Sequence, residues 1–315
     1  MKRIIVSGAG GFLGSNIVAK ALDHNIEVVA ITSKEGDNSQ IEKINTSEFL
    51  TKGYKFRADD AFINCLFPTN ADGYKMAAGL DKVFKIISNV YSSGCGTFIN
   101  ISSQSVYSSV RKNPATETDL LCLDTPYAVG KYSSEMFTNE IFRDRRHTNI
   151  RMASLLGVGY DQRILNRMVD QALKGEKIKV VGGMQRYGFL DVRDAAAAIV
   201  KLSMDCSESW KETYNVGRNE SYSLIDVAEC ICCEIKEKTG KKAEYIVING
   251  QDNRNSSLDS SRFMTEFCWK PEIGLKKTTD DIIMSKSALS EKKANEDLDN
   301  RKRIPNHFKQ DVGVI

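Results

Sequence analysis

Tyr127 and Lys131 stand four residues apart in Tyr127-Ala128-Val129-Gly130-Lys131. On a helix that spacing puts a phenol and an ammonium on one face. A phenol titrates near 10 in water. A neighbouring cation favours its phenolate and draws its pKa down. A tyrosine so tuned can take or give the proton of a carbinol while hydride passes to or from a nicotinamide. The apolar run before it, 97–102, ends in Ser102-Ser103-Gln104-Ser105-Val106-Tyr107. A serine at such a strand end can hydrogen-bond the reacting oxygen. Among eleven tyrosines the pair by itself is a weak signal. Its weight comes from its place, at a helix start announced by Pro126 and after a strand.

A second group of residues can hold a phosphate. Ser7-Gly8-Ala9-Gly10-Gly11-Phe12-Leu13-Gly14 sets glycines at 8, 11 and 14 between a strand-like run and a helix-like run. That context gives a glycine motif its meaning. Gly8 permits a tight turn, Gly11 lets backbone approach a pyrophosphate, and Gly14 lets helix and strand pack closely. The N–H groups of the turn, through Phe12 and Leu13, then face the anion together with the helix dipole. An acidic residue at the end of the next strand would bind the ribose hydroxyls of NAD. Thr32-Ser33-Lys34 stands there instead. Two hydroxyls and an ammonium suit a 2′-phosphate, so the cofactor is read as NADP or NAD, with a slight lean to NADP.

The elements that must position these residues alternate. Residues 3–7 and 26–32 read as strands around a helix over 12–22, one βαβ unit. Residues 34–60 are polar, with a helix expected near Gln40–Asn45 and a poor strand. Strands are expected over 61–67, 97–102 and 148–156, with helices over 74–93 and from Pro126 onward. This is an α/β chain with a doubly wound parallel sheet, a Rossmann fold. Beyond about 160 the pattern loosens into a helix over 161–174, short strands near 178–181 and 213–216, and a helix over 223–238. We therefore expect a dinucleotide-binding core over 1–160, a smaller mixed α/β substrate lobe over 161–284 with some elements returning to the core, and a charged tail over 285–315, as a solvated helix or a disordered segment.

Composition narrows the classes. Acids and bases nearly cancel, 44 basic against 41 acidic side chains for a net +3. That argues against a nucleic-acid partner that needs a strong basic field. No run approaches the roughly 20 apolar residues of a membrane helix. MKRIIV leads directly into the first strand with no cleavage site for a signal peptide, so a cytoplasmic chain is expected. The eight cysteines are scattered, without C-x-x-C spacing, and read as reduced packing residues. Three histidines far apart in sequence give metal chemistry no support.

Together these residues resemble the extended short-chain dehydrogenase/reductase superfamily, in its NAD(P)-dependent nucleotide-sugar epimerase/dehydratase branch. The resemblance covers about residues 3–285. SGAGGFLG looks like the cofactor loop of that branch, and Tyr127 and Lys131 match its catalytic pair. Ser103, in the S-x-x-x-Y pattern with Tyr107, matches its catalytic Ser/Thr position. The resemblance implies that Lys131 also binds the nicotinamide ribose. Gln185 to Asp194 is similar to the R-D-F-x-x-V-x-D segment, which implies that Arg186 contacts the substrate diphosphate, a pairing that suits arginine. Tyr214-Asn215-Val216-Gly217 and Phe267-Cys268-Trp269-Lys270-Pro271 also look like family segments.

The departures are specific. Gln104-Ser105 stands where sugar 4,6-dehydratases carry Asp-Glu, which speaks against dehydration. Met76 and Ser154 each replace a usual asparagine, and the stretch between Thr32 and Ala61 is short. The expectation is hydride transfer at a sugar carbinol or ketone, at C4 of a nucleotide-linked sugar, by a 4-epimerase or a 4-ketoreductase. The rival from another class is a non-catalytic NADP-binding sensor or scaffold of the same fold. The resemblance also implies a homodimer joined through the helices over 74–93 and 127–142.

Overall fold

The computed structural model describes residues 3–34, 41–68, 72–207 and 209–302, without the side chains of 291–302. The first half runs β1 (Arg3–Ser7), α1 (Phe12–Asp23), β2 (Glu27–Ile31), β3 (Glu42–Ile44), α2 (Thr46–Lys52), β4 (Ala61–Asn64), α3 (Gly73–Ser92), β5 (Thr97–Ser103), α4 (Pro126–Ile141) and β6 (Arg146–Met152). The second half runs β7 (Ser154–Leu156), α5 (Ile164–Leu173), β8 (Ile178–Val181), β9 (Arg186–Tyr187), β10 (Phe189–Asp191), α6 (Val192–Met204), β11 (Thr213–Val216), β12 (Tyr222–Ser223), α7 (Leu224–Thr239), β13 (Tyr245–Ile248), α8 (Ser261–Glu266) and α9 (Leu275–Lys302).

Seven parallel strands form the central sheet in the order β3-β2-β1-β4-β5-β6-β11. β1 is buried at all five positions, as a parallel strand covered on both faces must be. One face carries Ile4 and Val6 into a core shared with Ile17 and Ala21 of α1 and Ala195 and Ile199 of α6. The other carries Ile5, Phe62 and Phe98 against Val83 and Ile87 of α3. Phe62 and Phe98 stack across β4 and β5 with centroids 5.5 Å apart. Burying an aliphatic or phenylalanine side chain of this kind contributes about 1.5–3 kcal/mol. A separate apolar cluster joins Leu165 and Val169 of α5, Val227 and Ile231 of α7 and Ile282 of α9.

The strand order reverses between β1 and β4, and ligands of such sheets bind at the carboxyl ends of the strands at that point. β11 pairs with β6, so the chain after 160 does return to the core.

Three expectations change. The helix expected near Gln40–Asn45 starts later. Residues 35–40 lie outside the described ones, Glu42–Ile44 is a strand paired with Val29–Ile31, and α2 begins at Thr46. The Asn45 side chain caps that helix by accepting from Ser47 N at 2.9 Å, so asparagine here marks a start and not an interior. The run 61–67 forms a strand only to Asn64, before Cys65–Pro68 turns toward the glycine loop. The run 148–156 is two strands, β6 and β7, broken at Ala153, and β7 pairs with β10 and not with the main sheet. The region after 285 continues α9 as far as Lys302.

Candidate active site

The glycine turn closes on itself at the end of β1. Gly8 has φ +69°, and a Cβ there would lie 3.0–3.1 Å from the backbone of Cys65 and Leu66. Gly11 N donates to Gly8 O at 2.8 Å. A Cβ on Gly14 would sit 2.3 Å from Gly8 O, so α1 reaches the turn at a distance only hydrogen allows. α1 begins at Phe12 with Gly11 as its cap and no side chain capping its N–H groups. An uncapped N-terminus beside a cradle that a Cβ would fill fits a pyrophosphate. Thr32 and Lys34 lean over the same turn. A Cβ on Gly10 would meet Thr32 Oγ1 at 2.6 Å and Lys34 Cδ at 2.9 Å. Lys34 N donates to Thr32 Oγ1 at 3.0 Å, and Ser33 Oγ reaches Thr46 Oγ1 at 3.5 Å. Gly10 was not among the glycines singled out by spacing, since it falls outside the three-residue repeat.

α4 starts with Thr125 accepting from Ala128 N at 3.1 Å and with Pro126 in the first turn. That fixes Tyr127 at the helix entrance. Its phenol faces Ser103, which favours the ionised form. Ser103 accepts from Ser105 N at 3.2 Å and from Ser105 Oγ at 3.0 Å. Tyr127 meets Phe67 edge-on, with centroids 5.5 Å apart.

Lys131 is buried one helical turn on, and its Nζ donates to Ile101 O at 2.7 Å. The ammonium lies 3.8 Å over the Phe67 ring and 5.8 Å from the Tyr127 centroid. Burial draws Lys131 down to about 7, against the opposing pull of Cys65 and Glu135. Burial also pushes the Tyr127 phenol above its ordinary value, while Ser103 and then Arg163 draw it the other way. The expected lowering of the tyrosine by Lys131 is therefore corrected. In this state Lys131 turns to a carbonyl and an aromatic face, and Ser103 and Arg163 do the tuning.

Behind these groups lies a buried polar chain. Glu135 accepts from Ser102 Oγ and from Arg151, whose Nε stands 3.1 and 3.2 Å from the two carboxylate oxygens and whose Nη2 stands 2.7 Å from Oε2. Arg151 also donates to Tyr107 OH at 2.9 Å, and Tyr107 OH to Asn215 Oδ1 at 2.8 Å.

The structure brings Ser103, Tyr127 and Lys131 together and gathers Gly8, Gly11, Phe12, Leu13, Gly14, Thr32, Ser33 and Lys34 around one turn. Arg186 is exposed on β9, with its guanidinium on Ser221 Oγ at 2.9 Å and Ser221 O at 3.0 Å. Sequence reasoning missed Phe67, Glu135, Tyr160 and Arg163. Tyr160 packs on Phe12 at 4.5 Å, and Arg163 lies 4.7 Å over Tyr160. Glu135 had a usable signal, one turn beyond Lys131 on the same helix face. Arg163 had none, because only the loop after β7 brings it near Tyr127.

A doubly wound sheet with a phosphate turn at its reversal point and a Ser–Tyr–Lys group beside it defines an extended short-chain dehydrogenase/reductase. The chain belongs to the NAD-dependent epimerase/dehydratase family, whose model matches residues 4–217. Among curated relatives, dTDP-glucose 4,6-dehydratase of Xanthomonas campestris is 23% identical, covering 88% of this chain and 92% of its own. A putative UDP-glucose 4-epimerase of Methanocaldococcus jannaschii is also 23% identical, over 87% and 94%. The crystal structure of UDP-glucose 4-epimerase from Thermotoga maritima with UDP-glucose has a TM-score of 0.77 at 20% identity, covering 92% of this chain and all of that one. UDP-glucuronic acid 4-epimerase from Bacillus cereus, in complex with UDP-glucuronic acid and NAD, has a TM-score of 0.75 at 19% identity, over 92% and 100%. These likenesses agree on the fold, and the family is one of NAD-dependent enzymes. Among the described residues no helix is long and apolar enough to cross a membrane.

Proposed function

We propose that this chain moves hydride at C4 of a nucleotide-linked sugar, as a 4-epimerase with a nicotinamide dinucleotide held across the glycine turn. The observation that carries this reading is Ser103 at the carboxyl end of β5 beside Tyr127 at the entrance of α4, with Lys131 one turn on. Tyr127 is the acid/base. It takes the proton of the substrate hydroxyl as the carbon is oxidised and returns it when the ketone is reduced. Ser103 holds the same substrate oxygen by a hydrogen bond. Lys131 holds a cofactor ribose hydroxyl, and Ser103 with Arg163 favours the phenolate. The cofactor, when bound, accepts and returns the hydride. Exposed Arg186 has only neutral partners on Ser221 and takes the substrate diphosphate.

The nucleotide-sugar enzymes among the relatives and structural neighbours support the substrate class, and the family's NAD dependence supports NAD. Lys34 over the glycine turn favours a second reading, a 4-ketoreductase using NADP. A 4,6-dehydratase is disfavoured by Gln104 and Ser105, which place an amide and a hydroxyl next to Ser103. A non-catalytic sensor or scaffold is disfavoured by the intact Ser103, Tyr127 and Lys131. Residues 1–160 serve as the dinucleotide core, 161–284 supply most of the substrate lobe, and 285–315 form a charged extension, in a cytoplasmic homodimer.

The test has two arms. Native mass spectrometry of the purified protein reports retained NAD for an epimerase, or a site filled only by added NADPH for a reductase. Proton NMR of UDP-glucose, UDP-galactose and UDP-glucuronic acid incubated with the protein reports inversion at C4, with no loss of water. Tyr127→Phe should lower turnover about 100-fold or more, in line with general acid–base contributions, while NADH affinity stays within a few-fold. Equal turnover in both forms, or no association with either dinucleotide, overturns the reading.

A further inference from the structure

We propose that Glu135 is the positioning residue of this site: its carboxylate, gripped by Arg151 and tied to Ser102, sets where Ser103 and Lys131 stand relative to Tyr127. The proposal rests on Tyr127 acting as the acid/base of the proposed function. Glu135 is 2% exposed and Arg151 is 5% exposed. A buried carboxylate is costly unless it is paired and its lone pairs are filled. Here Ser102 Oγ and Arg151 Nε bond Oε1, and Arg151 Nε and Nη2 bond Oε2. The partners belong to three elements. Glu135 is on α4 with Tyr127 and Lys131, Ser102 is on β5 next to Ser103, and Arg151 is on β6 directly opposite Ser102 in the ladder.

The placement has a geometric consequence. Fixing Ser102 toward Glu135 therefore fixes the end of β5, where Ser103 faces Tyr127. Lys131 lies one turn before Glu135 on the same face of α4 and is anchored to Ile101 O, the residue before Ser102. One carboxylate thus fixes both the strand end and the helix turn that carry the reacting groups. Arg151 is held in turn by Tyr107 OH at 2.9 Å, so the grip does not depend on solvent. The charged and titratable groups facing Lys131 are Cys65 from the loop after β4 and Glu135 from α4. Those facing Tyr127 are Arg163 and Tyr160 from the loop after β7.

A purely structural ion pair would stabilise the fold and leave kcat of the folded variants unaltered, so kcat against KM is the readout of positioning, and the Lys131 midpoint reports whether the carboxylate reaches the ammonium. That midpoint is followed by NMR on protein labelled with ¹³C at lysine Cε, with the signal assigned from a Lys131→Arg sample. Wild type should titrate near 7. Glu135→Gln should lower the midpoint by half a pH unit or more, since the ammonium loses its carboxylate. Glu135→Asp should recover at least part of that shift. If the Gln variant does not fold, the Asp variant is read the same way, with a smaller fall expected as the charge retreats by one methylene. An unchanged midpoint in the folded variants overturns the proposal. With UDP-glucose and NAD, Ser102→Ala should lower kcat tenfold or more with KM within threefold. Wild-type kcat in Ser102→Ala overturns the tie to Ser103. If wild type converts no nucleotide sugar, the proposed function fails, while the Lys131 midpoint still decides whether the Glu135 carboxylate acts on the ammonium.

Discussion

Burial draws the Lys131 ammonium down to about 7 from an ordinary 10.5, and a shift of that kind is also a statement about stability. A lysine whose folded value is depressed binds its proton less tightly in the native chain than in the unfolded one. Between about 7 and 10.5 the unfolded chain therefore holds a proton the native chain lacks, and stability rises with pH across that window. Below it both states are protonated, and the native chain bears the whole cost of a buried charge. Lys131→Met removes this dependence. Its stability advantage over wild type should be greatest below pH 7 and should shrink toward pH 10, at no more than about 1.4 kcal/mol per unit. Urea melts of both proteins at pH 6.5, 8 and 9.5 measure it. A difference that stays constant across the series would contradict the burial of the charged group. The same residue shows a limit of sequence reading. Spacing put Lys131 beside Tyr127 correctly, but it could not reveal that Ile101 O and the Phe67 ring compete for the ammonium.

Elements were legible where one segment decides its own structure. Glycines at 8, 11 and 14 fixed the junction of β1 and α1, and Pro126 fixed the start of α4, because each acts through local backbone geometry. The first βαβ unit was visible because the parallel strands are short unbroken apolar runs. Legibility ended where distant segments decide. β3 exists only because β2 offers it an edge, and its own three residues are exposed or half-buried. The break at Ala153 depends on β10 capturing β7. The site divides the same way. Ser103, Tyr127 and Lys131 were legible from spacing, whereas Phe67 and Arg163 arrive on loops from other parts of the chain. The α1 junction supplies a prediction at this scale. A methyl at Gly14 would collide with the backbone carbonyl of Gly8, so either helix or turn must move. Gly14→Ala should cost about 1–3 kcal/mol, as overpacking does, and should weaken NADH binding tenfold or more. Gly11→Ala, whose Cβ would stand 3.1 Å from Gly8 O, should cost less stability. Thermal unfolding and NADH fluorescence titration compare the two, and a Gly14→Ala protein as stable as wild type would refute the close approach.

For the whole molecule, the question is what covers the outer face of α3 and α4. These helices pack on each other through Phe84 and Phe137, whose rings lie 4.6 Å apart. Yet Phe137 is 47% exposed, and Met136 and Val129 are 56% and 45% exposed on the same helix. Three large apolar residues on one helix are a poor outer surface for a lone chain, since clustered apolar area marks an interaction site. A second copy presenting the same face would bury them by a two-fold contact, the commonest arrangement of soluble oligomers. Because α4 also carries Tyr127 and Lys131, that contact would brace the helix on which the proposed chemistry depends. Phe137→Glu places a charge where the partner's apolar face would meet it, and burying an unpaired charge is costly. Sedimentation equilibrium should report a dimer for wild type and a monomer for Phe137→Glu. The monomer should keep its fold by circular dichroism while losing turnover on the nucleotide sugar. A wild-type protein that sediments as a monomer at micromolar concentration would remove α3 and α4 as the dimer face, and the exposed residues would then require a different occupant.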